Sequence, residues 1–155
     1  MAEKIWIYAL GDDLKPQQLS QFSSNCKDFV DSWSAHDQKL NASFEIYKRR
    51  LLIMKVDESA YNASGCSIDK LQRFIQLQEK EFNIELLNRF MVALEVFDGL
   101  MIVHSSKIKE LLSQSTISEN TLVFDTTITS SEQLKNWKKP LKDTWLCKYL
   151  PSLSS

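Results

Sequence analysis

Leu51-Leu52-Ile53-Met54-Lys55-Val56-Asp57 decides how this chain folds. Leu52, Met54 and Val56 alternate with Leu51 and Ile53, so a strand here carries hydrocarbon on both faces. Such a strand has to be covered on both sides. Just upstream, residues 43–49 (Ser-Phe-Glu-Ile-Tyr-Lys-Arg) read as a second strand. Arg49-Arg50 is not a favoured turn sequence, yet two closely spaced strands leave a hairpin as the connection. Further upstream, residues 4–10 (Lys-Ile-Trp-Ile-Tyr-Ala-Leu) are β-branched and aromatic, and they too are apolar on both faces. Gly11-Asp12-Asp13 breaks that strand, and Pro16 suits a first helical position. Leu19, Phe22, Cys26, Phe29, Val30 and Trp33 then recur at helical spacing, which predicts an amphipathic helix of about five turns.

Downstream, residues 57–66 are small and polar, and Ser67 suits the cap of a second helix whose buried face is Ile68, Leu71, Phe74, Ile75 and Phe82. Residues 90–97 and 100–104 form a hairpin around Asp98-Gly99, the strongest turn signal in the chain. Ile108, Leu111 and Leu112 suggest a short helix, and residues 121–125 a strand. Ser130 with Gln133 resembles a capping box ahead of Leu134 and Trp137. The predicted class is α+β: a ferredoxin-like β-α-β-β-α-β core, extended by a further strand and a C-terminal α/β segment covering the second sheet face. Trp6, Tyr8, Leu51 and Ile53 need that cover, and Phe124, Trp137, Trp145 and Tyr149 can supply it. One domain over residues 1–151 is expected, with a frayed end at 152–155.

The 155 residues suit one domain, and 43% hydrophobic content is enough for a core. Nineteen basic against twenty acidic side chains leave a net charge of −1, which disfavours a nucleic-acid partner. An RNA-recognition reading of residues 5–10 fails for the same reason, and residues 51–56 offer no ring on which a base can stack. Near the N-terminus nothing is long and apolar enough for a signal peptide or membrane span. Cys26, Cys66 and Cys147 are odd in number and lack a CxxC spacing, and His36 and His104 are far apart. The expectation is a reduced, cytoplasmic protein without metal or cofactor. The three glycines, at 11, 65 and 99, build neither a phosphate loop nor a nucleophile elbow, so ATP hydrolysis is not supported.

Candidate chemistry gathers around residues 57–70. Cys66 precedes a helix start, where backbone N–H groups bind anions and the helix dipole favours thiolates. In a ferredoxin-like unit His36, Asp57, Glu58, Cys66 and Asp69 fall at one end of the sheet, together with Ser67 and the Asp98-Gly99 turn. Three functions follow. The first is a binding or regulatory module for a small ligand or anion, with Asp57, Glu58, Ser67 and Asp69 lining a site between the 34–37 and 57–70 loops. The second is a thiol-dependent enzyme with Cys66 as nucleophile and His36 as base. The third is a protein–protein interaction module. Against all three stands a structural reading, in which Ser64-Gly65-Cys66-Ser67 is a turn with a cap and the charges are solvated.

Trp33-Ser-Ala-His36, Asp57-Glu-Ser59, Ser64-Gly-Cys-Ser-Ile-Asp-Lys70 and Asp143-Thr-Trp145 resemble a family of short bacterial proteins of similar length, often labelled "ABC transporter ATPase". The likeness spans nearly the whole chain, and its most specific part is Ser-Gly-Cys-Ser-Ile-Asp. Asp37 stands where that family has a glycine, and this chain has no Walker motif. The resemblance implies a bacterial, cytosolic protein and supplies no mechanism.

Overall fold

A computed structural model describes residues 3–59, 63–97 and 99–151. Residues 60–62 of the predicted loop, Asp98 of the predicted turn and the predicted frayed end at 152–155 lie outside them. The class is α+β, in two antiparallel sheets and a small two-stranded ribbon. Strand β1 (Glu3–Ala9) leads to helix α1 (Pro16–Ser32), which begins on Pro16 and buries Phe22, Cys26 and Val30. The ribbon β2 (Ser34–Ala35) and β3 (Gln38–Lys39) follows, then β4 (Asn41–Tyr47) and β5 (Leu51–Asp57). β5 lies at the centre of the first sheet, antiparallel to both β1 and β4. The β4–β5 turn places Lys48 at φ 49° and Arg49 at φ 67°, left-handed values that explain why this sequence reads poorly as a turn. Arg50 justifies the arrangement: its guanidinium donates to the Leu10 carbonyl at 2.9 Å and ties the turn to the end of β1.

Helix α2 (Gly65–Phe82) is capped three residues before the expected position. Ser64 is the cap, and Ser67 supplies the other half of a reciprocal box. The helix ends on Asn83 at φ 52°. β6 (Met91–Val96) and β7 (Gly99–His104) form the expected hairpin, and Gly99 takes φ 135°, where a side chain is disfavoured. Helix α3 (Ile108–Ser113), β8 (Leu122–Phe124) and β9 (Lys138–Pro140) complete the regular elements, with short 3₁₀ turns at Ser131–Asn136, Leu141–Asp143 and Trp145–Tyr149.

The ferredoxin-like sheet is not completed. Its fourth strand should run beside β1, but β6 instead joins a second sheet of order β7-β6-β8-β9. Two contacts explain the diversion. Glu79 accepts from the Leu86 and Leu87 N–H groups at 2.8 and 3.0 Å, and Gly11 donates to Glu85 O at 2.8 Å, so the chain leaving α2 is pinned across the end of β1. A Cβ on Gly11 would come within 3.2 Å of Glu85, so a larger residue would have to push that segment aside by a few tenths of an ångström. The free edge of β1 is met by another segment: Ile5 donates to Thr129 O at 3.0 Å, and Lys4 bridges to Ser130.

Side-chain alternation turns the two sheets into four layers. Leu52, Met54 and Val56 pack under α1 and α2 with Trp33, Leu71 and Ile75. Ile5, Leu51 and Ile53 face the other way, against Ala93, Ile102, Phe124 and Trp137 of the second sheet and its connections. Val92, Leu94 and Val123 point outward from the second sheet onto Ile108, Leu141 and Leu146. The order is helix, sheet, sheet, helix. The second face of the first sheet is thus covered from within the chain, as the pattern of β5 requires. Two expectations of that cover are corrected. Trp6 and Tyr8 pack on the helical side. Of the four proposed covering aromatics, only Phe124 and Trp137 reach the layer, because Tyr149 packs in the outer core and Trp145 is 52% exposed.

A candidate ligand cavity at the splayed end of the second sheet

The residues singled out in the sequence divide between ordinary structural roles and open surface. His36 and Asp37 form the turn of the β2–β3 ribbon at φ 51° and 63°. Asp37, where the resembling family has glycine, still makes a tight turn, because aspartate tolerates this conformation better than most side chains. His36 is exposed. Cys66 is exposed in the first turn of α2. No hydrogen bond joins the imidazole to the thiol. The ribbon and the helix start do come together, through Trp33 Nε1 donating to Ser67 O at 2.8 Å and Lys70 Nζ to Ser34 Oγ at 3.3 Å. Ser67 is fully buried, and its hydroxyl donates to Ser64 O and accepts from Ser64 N. Both of its capacities are used within the cap.

Asp57 accepts from Ser59 N at 2.9 Å, a hydrogen bond that holds its carboxyl below the usual range. Asn41 reaches Asp57 at 3.4 Å, and Glu58 accepts from Ala63 N at 2.8 Å. Both carboxylates therefore shape their own loop. Asp69 is exposed. The turn at Gly99 is not at this end. Gly99 and Leu100 border a depression with Lys48, Arg49 and Arg50, at the opposite end of β5 from Asp57. β6 pairs in the second sheet, so its hairpin is not oriented as a ferredoxin-like strand would orient it. Among the described residues no group of three His, Cys, Asp or Glu side chains could hold a metal ion.

The most enclosed concavity lies elsewhere; at about 410 Å³ it is smaller but less open than the grooves on the helical side. That is within the roughly 300–1,000 Å³ range of small-molecule sites. Strand divergence makes it. β6 and β8 pair only at Ala93–Phe124 and Leu94–Val123. Beyond Phe124 the chain turns away, since Asp125 Oδ1 accepts from both Thr127 N and Thr127 Oγ1. Met91 and Val92 stay in the β7 ladder and are left without a β8 partner, so a space opens between the strands. Met91, Val92, Val123 and Phe124 are its apolar lining residues. Arg89 and Lys139 line it as cations, Asp125 and Asp143 as carboxylates. Thr126, Thr127 and Thr144 add hydroxyls, and the Trp145 ring forms one wall. Thr144 caps the 3₁₀ turn that presents Trp145, accepting from Leu146 N at 3.2 Å. Lys148 lies 5.3 Å from the Trp145 ring centre.

Sequence reasoning missed this site, although Asp143-Thr144-Trp145 is one of the stretches that carry the resemblance. A search with family models, with curated proteins and with solved structures finds no match for this chain.

Proposed function

We propose that the chain is a small-ligand binding module whose site is the cavity between β6, β8 and the 143–145 turn. The observation that supports this most is the lining itself: apolar, charged and hydroxyl-bearing residues around a space of about 410 Å³. The 34–37 and 57–70 loops are the weaker candidate, because Ser67, Asp57 and Glu58 spend their polar atoms on the local fold. A bacterial, cytosolic setting belongs to the same proposal and rests on the resemblance. No helix among the described residues is long and apolar enough to cross a membrane.

Thiol catalysis by Cys66 with His36 has less support. A nucleophile and its base need hydrogen-bond reach, and the two side chains do not have it. An interaction module is also less favoured. Of the exposed large apolar residues, Phe90 and Phe97 flank opposite ends of β6, and Leu77 sits on α2. Scattered exposure of this kind is ordinary. The test is a fragment screen read by amide chemical shifts of the ¹⁵N-labelled full chain. Shifts concentrated at Val92, Val123, Thr126 and Thr144 are expected. Hits confined to residues 34–37 and 63–70, or none at all, would reject the reading.

A further inference from the structure

The charges of the cavity say what kind of ligand it takes, granted that it is a ligand site. Two cations and two carboxylates line one small space, yet among the described residues none of the four pairs with another. Arg89, Lys139 and Asp143 form no ion pair with any described residue. Exposed charges gain little by pairing with one another, so both signs stay open to a ligand. Asp125 is the one partly committed group, with one oxygen on Thr127 and the other uncommitted. A singly charged ligand would find a partner in one sign and like charge in the other, which weakens it. A neutral apolar ligand would engage neither sign.

We infer that the cavity binds a small zwitterion with an apolar or aromatic side chain, the chemistry of a free α-amino acid. Its carboxylate meets Arg89 and Lys139, and Arg89 can engage it with two N–H groups. Its ammonium meets Asp143 and the free oxygen of Asp125. Its side chain lies against the apolar part of the lining, beside Trp145. Charge complementarity of this kind sets specificity more than raw affinity, so discrimination among analogues is the informative quantity.

The experiment uses the ¹⁵N-labelled full chain and four probes that differ only in charge. They are L-phenylalanine, 3-phenylpropionate without the ammonium, phenethylamine without the carboxylate, and 3-phenylpropan-1-ol with neither. Phenylalanine should bind at least tenfold more tightly than any of the others, with shifts at Val92, Val123 and Thr144. Arg89→Gln should weaken phenylalanine and 3-phenylpropionate and leave phenethylamine unchanged. Asp143→Asn should weaken phenylalanine and phenethylamine and leave 3-phenylpropionate unchanged. Both sites are exposed, so amide dispersion matching the parent protein is expected and serves as the folding control. If 3-phenylpropionate or the alcohol binds the cavity as tightly as phenylalanine, the zwitterion inference fails and the binding module stands. If no probe shifts the cavity resonances, both fail.

Discussion

Replacing Trp137 with alanine should remove about 3–5 kcal/mol of stability, the usual cost of deleting a large buried ring. Trp137 is 8% exposed and lies between the two sheets with Ile5, Leu51 and Ile53. Its ring is 4.8 Å from that of Phe124 and 5.2 Å from that of Tyr47, both edge-on. Tyr47 belongs to the first sheet and Phe124 to the second, so Trp137 bridges the layers through both partners. Edge-on pairs carry about 0.5–1.5 kcal/mol beyond burial, so a double-mutant cycle with Tyr47→Ala should return a coupling of about that size. At about 2–4 °C per kcal/mol the single change lowers the melting temperature by roughly 6–20 °C. Trp145→Ala is the contrast: its ring is 52% exposed, and its removal should stay within about 0.5 kcal/mol. Urea unfolding followed by far-ultraviolet circular dichroism measures all of these without relying on the deleted indole. If Trp137→Ala costs no more than Trp145→Ala, or the cycle shows no coupling, the second sheet does not cover the first in the way described.

Three smaller predictions follow from single groups. Burial pushes the Cys26 thiol up to about 12, whereas Cys66 and Cys147 are exposed; iodoacetamide at pH 8 should label the latter two in the folded protein and Cys26 only after unfolding, and labelling of Cys26 in the folded protein would contradict its place under α1. Arg49 sits at φ 67°, so Arg49→Gly should stabilise by about 0.5–1 kcal/mol, the left-handed strain relieved exceeding the entropy added to the unfolded chain; a loss of stability would show that the arginine side chain matters more than its backbone. The Asp57 carboxyl is held low by the Ser59 N–H. A depressed carboxyl stabilises the fold above its unfolded pKa, and that share disappears as pH falls through the folded value. The stability gap between the parent and Asp57→Asn should therefore shrink on acidification, and a gap that stays constant with pH would refute the linkage.

What could be read from the chain was the local pattern. The two-faced alternation of residues 51–57 announced a doubly covered strand, and the stripe from Leu19 to Trp33 announced α1. The cap of α2 was misplaced by three residues because Ser64 and Ser67 both qualify, and the reciprocal box uses both. Element order suggested a ferredoxin-like sheet, but order does not say which edge a strand joins. That was decided by Glu79, which folds the chain back just after α2, and by Gly11, which holds the α2–β6 connection across a long sequence separation. The Gly99 turn left the expected end for the same reason, since its hairpin belongs to the second sheet and no longer lies beside Asp57. The cavity was invisible because residues 89–92, 123–127 and 139–145 come from three separate stretches, and only their pairing reveals a gap. The one local signal was a polar run ending in an exposed tryptophan, Asp143-Thr144-Trp145.

Crystals of the full chain soaked in a library of small fragments of mixed charge would put the binding site to the most direct test. The expected outcome is density clustered in the cavity between Arg89, Phe124 and Trp145, with charged fragments placing carboxylates toward Arg89 and amines toward Asp143. Density clustered instead at His36 and Cys66 would contradict the assignment of the site. A cavity that stays empty while fragments occupy other surfaces would contradict it equally.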